Sequence, residues 1–165
     1  MAYALFSLKE NFQFLDLIHD LKYYGFKKVG YELGVELGKL LIAYGALDYD
    51  FIVPAPIHRA RRRERGYNQS ESIAVGLSEI ISVPVNNQII KRKRYTPSQT
   101  TLDKQSRMIN ISKAFIPYAN EIKLLNLNIL LVDDVLTTGS TINEAALAIL
   151  EMGAKRVDAA VLIST

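Results

Sequence analysis

The last third of the chain carries a strand, a helix and a second strand in direct succession, and this order constrains the fold most. Residues 128–132 (NILLV) and 156–164 (RVDAAVLIS) are rich enough in aliphatic residues to predict buried strands. The segment 141–153 between them predicts a helix that begins with a Thr141–Glu144 capping box and ends at Gly153. Continuously apolar strands joined by a helix are typical of parallel sheets, so we expect an α/β domain.

The rest of the chain continues the alternation of helices and strands. Further helices are predicted over residues 8–25, 28–45 and 68–81, the last with an Asn68–Glu71 capping box. Further strands are predicted over residues 50–56, 85–90 and 113–117, and the last two are expected to pair across a long polar loop. In the second helix, Gly30, Gly34 and Gly38 recur every four residues and predict close packing against a neighbour.

Length and composition indicate one globular domain spanning residues 1–165, with an N-terminal helical part at 1–46 and a flexible loop at 91–112. Hydrophobic residues make up 49% and charged residues 22% of the chain, which argues against disorder. No stretch approaches the roughly 18 apolar residues of a membrane helix, and the N-terminus lacks the basic region of a signal peptide. We therefore expect a cytoplasmic protein without a membrane partner. The chain has no cysteine, which excludes disulfides and a thiolate zinc module within it.

Positive charge is concentrated in two clusters. The net charge is +3, but residues 58–66 (HRARRRERG) hold five arginines and one glutamate, and residues 91–94 (KRKR) hold four more cations. Dense clusters in a weakly basic chain favour an anionic partner bound at particular places, although such runs also occur as solubilising faces.

Two adjacent carboxylates stand in the stretch ILLVDDVLTTGST, residues 129–141. Asp133 and Asp134 are expected at the carboxyl end of a central strand, where ligands bind in open α/β sheets. Residues 137–141 lead into a helix N-terminus, whose amides together with small hydroxyl side chains form a phosphate cradle. Carboxylates for hydroxyls or a metal, next to amides for a phosphate, suit a sugar phosphate. A phospho-receiver domain and a capped turn without a ligand are the competing interpretations, and the spacing of a Walker A motif is absent.

This stretch resembles the phosphoribosyl-pyrophosphate (PRPP) signature of the type I phosphoribosyltransferase family. The segments IVPAPIHRARRRERGYNQSESIA and PSQTTLDKQSRMINISKAF resemble the ComF branch of that family, also described as GntX-like or amidophosphoribosyltransferase-like. The second segment supplies the spaced pattern of that branch with Gln99, Leu102, Arg107, Asn110 and Phe115. The resemblance implies a central, mostly parallel sheet flanked by helices, with a flexible hood hairpin. ComF members often begin with a four-cysteine zinc module, and this chain contains none.

The resemblance also implies roles for individual residues. Asp133 and Asp134 would contact the ribose hydroxyls, directly or through Mg²⁺, and would act in catalysis together with Arg59. The PRPP-binding segment would consist of Asp133, Asp134, Val135, Leu136, Thr137, Thr138, Gly139, Ser140 and Thr141. The pyrophosphate loop would be Ile57, His58 and Arg59, and the flexible loop would contribute Lys91, Arg92, Lys93, Arg94, Gln99 and Arg107.

The implied activity is Mg²⁺-dependent transfer of the phosphoribosyl group to a nitrogen acceptor, with release of pyrophosphate. Two alternatives stay open: a PRPP-binding regulator without turnover, and a competence accessory whose partner is single-stranded DNA or a competence helicase. A homodimer is a further expectation. Thr137 stands where 6-oxopurine enzymes of the family carry an acid, which argues against hypoxanthine or guanine as acceptor.

Four aromatic or histidine side chains have open roles. Tyr67 and Tyr95 are either base-stacking or structural residues, and a structural role is favoured for both. His58 is either a phosphate donor or a structural histidine, whereas His19 is expected to pack within its helix.

Overall fold

The structure, a computed structural model, describes residues 1–7, 27–93, 114–119 and 123–165. Its elements in chain order are β1 (Ala2–Ser7), α1 (Lys27–Ala43), β2 (Phe51–Pro54), α2 (Arg59–Arg65), α3 (Gln69–Ile81), β3 (Ile90–Arg92), β4 (Phe115–Pro117), β5 (Asn128–Leu136), α4 (Ser140–Glu151) and β6 (Arg156–Ser164). The helix predicted over residues 8–25, with His19, lies outside the described residues, as does most of the loop predicted at 91–112.

Four strands form one parallel sheet in the order β1-β6-β5-β2. The two-stranded antiparallel sheet of β3 and β4 stands apart from it. The predicted α/β architecture with a central parallel sheet flanked by helices is confirmed. In the part of the chain described here, no helix has the length and apolar character needed to cross a membrane.

Strand β5 lies inside the sheet and supplies side chains to a separate core on each face. Leu131 packs with Ile149 and other residues on the face covered by α4. Leu130 and Val132 pack with Leu37 and Leu77 on the face covered by α1 and α3. Alternate residues of a strand point to opposite faces, so a strand buried on both sides is apolar at every position.

Helices α1 and α3 pack closely because each presents a glycine to the backbone of the other. A Cβ atom on Gly34 would lie 2.1 Å from the carbonyl oxygen of Ile73, and one on Gly76 would lie 2.0 Å from that of Tyr31. Both distances are far below van der Waals contact, so only glycine fits at these positions. The prediction of close packing through the glycine repeat of the second helix is confirmed.

In three parts of the chain the structure differs from the prediction. Residues 2–7, expected within a helical N-terminal part, form β1, which pairs in parallel with β6 at the sheet edge. The strand predicted at 85–90 begins only at Ile90, and Val85 makes just an isolated bridge to Ile52. Lys91 and Arg92, assigned to the flexible loop, belong to β3, where pairing with β4 fixes them. The pairing predicted across the long polar loop is confirmed between β3 and β4.

The capping predictions are partly wrong. The Asn68 side chain does accept a hydrogen bond from the Ser70 amide, but the Glu71 carboxylate binds Arg62 instead of completing a capping box. Helix α4 begins at Ser140, one residue before the predicted start, and its N-cap is Gly139 with a φ of 74° and no side-chain cap. A glycine in the left-handed region sets this helix start instead of the predicted Thr141–Glu144 capping box.

Candidate functional site

Asp133 and Asp134 lie within the last four residues of β5, which continues to Leu136 instead of ending at Val132 as predicted. Asp134 follows Leu130 and Val132 on the α1–α3 face and is only 5% exposed. Asp133 is half-buried, and its Oδ1 accepts a hydrogen bond of 2.9 Å from the Asp134 amide. The two carboxylates therefore have different surroundings although they are adjacent.

The N-terminus of α3 holds both carboxylates. Ser70 Oγ donates to Asp133 Oδ1 at 3.0 Å, and Gln69 Nε2 donates to Asp134 Oδ2 at 3.1 Å. The preceding residue, Asn68, donates through Nδ2 to the Ala55 carbonyl at 3.0 Å, which ties α3 to the end of β2. In the sequence, the NQS stretch indicates only a helix start and part of a family pattern, so the contacts of Gln69 and Ser70 with the carboxylates were not predicted.

The loop after β5 has the geometry expected of a phosphate cradle. Gly139 takes a positive φ, and the Thr138 and Ser140 hydroxyls lie 2.8 Å apart beside it. Thr137, Thr138 and Ser140 are exposed. The start of α4 therefore carries exposed hydroxyl residues, as an anion site requires, and the Ser140 amide donates to Thr138 Oγ1 at 3.4 Å. Of the predicted PRPP-binding residues, Val135 and Leu136 belong to β5 itself.

The predicted pyrophosphate loop leads into the short helix α2. His58 is its N-cap, and the ring Nδ1 accepts a hydrogen bond of 3.2 Å from the Ala60 amide, which gives this histidine a structural role. Arg62 makes a two-bond ion pair with Glu71 of α3, at 2.8 and 3.1 Å. These contacts fix α2 against the start of α3, beside the carboxylates.

A cavity of about 490 Å³ separates α2 from the β3–β4 hairpin. Among the described residues, its cationic lining consists of Arg59, Arg62, Lys91, Arg92 and Lys93, and its one carboxylate is Glu71. The two basic clusters of the sequence thus meet at one cavity. Arg94, Gln99 and Arg107 lie outside the described residues, as do Tyr95, Leu102 and Asn110.

Arg92 is one of two cations of this cavity that lie within β3. Its guanidinium lies 5.3 Å from the centre of the Phe115 ring on the paired strand. Burial and the nearby Arg61 lower the pKa of Arg92, and the carboxylates of Asp133 and Glu144 counteract this shift. Arg92 therefore lies within electrostatic range of Arg61 in α2, of Asp133 near the end of β5 and of Glu144 in α4.

Tyr67 is buried just before the start of α3 and not on an open surface, so no base can stack on it in this arrangement. It is 6% exposed, and the Lys27 ammonium lies 5.8 Å from the centre of its ring. Burial raises the pKa of Tyr67, the charge of Arg65 counteracts this shift, and the charge of Asp134 adds a smaller increase. The structural role favoured for this residue agrees with its position.

The carboxylate pair suits a metal that takes most of its ligands from elsewhere. Within the described residues, no group of three or more His, Cys, Asp or Glu side chains could enclose a metal ion. Mg²⁺ is commonly held by one or two carboxylates together with substrate phosphates and water, so an oxygen-donor pair beside a phosphate loop fits it.

Fold and site together define an α/β protein of the phosphoribosyltransferase type: carboxylates and a glycine loop lie at the carboxyl edge of a parallel sheet. The family model for the phosphoribosyl transferase domain matches residues 68–165. The chain belongs to this family, and its relatives place it in the ComF-like branch.

Three relatives illustrate the match. Competence protein F of Haemophilus influenzae is 34% identical over 106 residues, which cover 64% of this chain and 46% of that protein. DNA utilization protein YhgH of Salmonella typhi is 36% identical over 108 residues, which cover 66% of this chain and 46% of that protein. Competence protein ComFC of Bacillus subtilis is 32% identical over 102 residues, which cover 62% of this chain and 39% of that protein. The chain thus spans less than half the length of these relatives.

Solved structures of distant proteins share the fold. The glutamine PRPP amidotransferase of B. subtilis aligns with a TM-score of 0.52 at 19% identity, over 79% of this chain and 26% of that one. The adenine phosphoribosyltransferase of Saccharomyces cerevisiae aligns with a TM-score of 0.50 at 16% identity, over 79% and 66%.

Proposed function

We propose that this chain binds PRPP with Mg²⁺ and transfers the phosphoribosyl group to a nitrogen acceptor, releasing pyrophosphate. The observation that carries the proposal is the arrangement at the end of β5. There, α3 holds Asp133 and Asp134 directly before the Gly139 loop. Carboxylates accept hydrogen bonds from ribose hydroxyls, and the loop amides bind the 5′-phosphate.

In the proposed reaction, each part of the site acts on a different part of PRPP. The half-buried Asp133 meets the ribose, while Gln69 and Ser70 keep the carboxylates oriented. Arg59 and Arg92, which line the cavity between α2 and the β3–β4 hairpin, face the leaving pyrophosphate and stabilise its developing negative charge. Mg²⁺, held through Asp133 and Asp134 and the substrate oxygens, would supply further charge neutralisation.

Turnover separates this proposal from a PRPP-binding regulator. Purified protein would be incubated with Mg²⁺ and PRPP labelled in the ribose, together with ammonia or candidate amines, and pyrophosphate release would be followed. Stoichiometric binding without release in the presence of any acceptor would favour the regulator. No binding of PRPP at all would overturn both.

A second candidate function is a competence accessory that handles single-stranded DNA or contacts a competence helicase. The observation in its favour is the cationic cavity beside α2. In addition, the relatives are named for competence and DNA utilization. A DNA contact through these cations would weaken steeply with salt, because each neutralised phosphate releases counterions. Oligonucleotide binding titrated at several salt concentrations measures this slope.

A further inference from the structure

Four consecutive polar residues at the start of α3 are buried, which is unusual for a helix terminus. Tyr67, Asn68, Gln69 and Ser70 are between 0 and 6% exposed. The Asn68 side chain is both acceptor and donor: it accepts a hydrogen bond from the Ser70 amide and donates one to the Ala55 carbonyl. Ser70 donates to Asp133. These two side chains have clear roles as a cap and a tether.

The other two side chains have polar atoms whose role is not explained by protein contacts. Within the described residues, Tyr67 Oη and Gln69 Oε1 are buried and have no hydrogen-bond partner. Both belong to the buried segment that begins α3: Gln69 donates to the Asp134 carboxylate, and Tyr67 precedes Gln69 by two residues. Two unsatisfied atoms therefore lie in the buried segment that also holds the Asp134 carboxylate.

Their chemistry is complementary to that of one small hydroxylic molecule. A phenol donates a hydrogen bond, and the oxygen of a carboxamide accepts one. A water molecule can accept from Tyr67 and donate to Gln69, and buried waters typically serve such otherwise unsatisfied polar groups.

We propose that Tyr67 and Gln69 are positioning residues for Asp134, joined by a buried water molecule that fixes the carboxylate for its contact with the ligand. The effect on the ligand rests on the proposed function, whereas the water itself does not. Gln69 holds one oxygen of Asp134 directly, and the water anchors Gln69 through its other end. Loss of the Tyr67 hydroxyl removes the water and lets Gln69 and Asp134 turn together.

The variants Tyr67→Phe and Gln69→Leu test the ligand effect, with Tyr49→Phe as the matched control. Tyr49 is also a buried tyrosine, and its hydroxyl donates to Asp158 at 2.8 Å in another part of the sheet. Affinity for Mg²⁺–PRPP should fall about tenfold in the first two variants. Affinity for inorganic phosphate, which the Gly139 loop binds alone, should stay unchanged. Tyr49→Phe should lower the melting temperature and leave both affinities intact.

A crystal structure of the ligand-free wild-type protein tests the water independently. Electron density between Tyr67 Oη and Gln69 Oε1 is expected, and a dry contact there would overturn the inference. Wild-type PRPP affinity retained in Tyr67→Phe and Gln69→Leu would overturn it as well. If the wild-type protein bound no PRPP, the proposed function would fail, and the electron density would decide the inference alone.

Discussion

Ser70 Oγ lies 3.0 Å from Asp133 Oδ1, although 63 residues separate them in the sequence. The contact joins the second residue of α3 to the end of β5 and orients the more exposed carboxylate of the pair. The precision of the site therefore depends on how α3 is seated at the sheet edge.

Removing this hydroxyl should weaken ligand binding without unfolding the protein. Ser70→Ala is expected to reduce PRPP affinity about fivefold, because a hydrogen bond to a charged acceptor is lost. Ser78→Ala is the matched control: Ser78 lies about two turns further along the same helix, and its hydroxyl donates to the Val83 carbonyl at 2.7 Å. Calorimetric titration of both variants measures the difference. An equal loss of affinity in both would contradict a specific role for Ser70.

Neutralising the carboxylates should affect PRPP more than phosphate. Asp133→Asn combined with Asp134→Asn is expected to cost at least about tenfold in PRPP affinity, since charge-assisted hydrogen bonds are lost. Stability should be unchanged or higher, because two adjacent like charges at a strand end repel each other. Melting temperature and affinity are measured on the same variant. Lower stability with normal PRPP binding would show that the pair is structural.

Substitutions at Gly139, which has a left-handed backbone conformation, can distinguish the effect of backbone strain from the effect of a blocked phosphate site. A Cβ at this position would meet Asn143 Nδ2 at 3.5 Å and Leu136 Cδ1 at 3.7 Å, so space is adequate and the φ of 74° is the main obstacle. Gly139→Val should abolish PRPP binding, because a β-branched residue resists positive φ and covers the amides. Gly139→Asn, which tolerates this φ, is the control for strain and should retain more stability. Undiminished PRPP binding by folded Gly139→Val would exclude the cradle.

The contact between α1 and α3 should be intolerant of a single methyl group. Gly34→Ala places Cβ against the Ile73 backbone and is expected to destabilise the protein by about 2–3 kcal/mol. Gly38→Ala should cost less, since its Cβ would lie 2.7 Å from the Ile80 Cβ, a smaller overlap than the 2.1 Å contact with the Ile73 carbonyl oxygen. Denaturant unfolding of the two variants gives the comparison. A similar small cost for both would mean that the helices can move apart freely.

Arg92 should matter more than its exposed neighbour for binding pyrophosphate. Arg92→Gln removes a guanidinium that lies over the Phe115 ring of the paired strand, whereas Lys93→Gln removes the charge of an exposed residue beyond the end of β3. We expect about a tenfold loss for the first and less than about threefold for the second, since a fixed cation loses less freedom on binding. Titration with Mg²⁺–pyrophosphate measures both. Equal losses would assign binding to net charge alone.

Local sequence patterns were sufficient to predict the class of fold and to place the carboxylates and the glycine loop near the end of β5. A hydrophobic pattern shows which residues of a single strand or helix are buried, so it can be read from a short stretch of sequence. The aliphatic runs at 128–132 and 156–164 and the helix between them are patterns of this kind. The same local signals predicted the close packing of α1 through Gly34. β1 gave no such signal, because AYALFS is an edge strand whose residues are mostly half-buried.

The side chains that contact the carboxylates could be identified only from the packing of α3 on the sheet. Gln69 and Ser70 lie one and two residues after the α3 cap, and the sequence shows them as ordinary helix-start residues. They reach Asp134 and Asp133 because α3 packs across the ends of β2 and β5, a relation between layers that no periodicity within one element records. Likewise, Arg92 belongs to a polar run in the sequence, and only pairing of its strand with Phe115 turns it into a fixed cation.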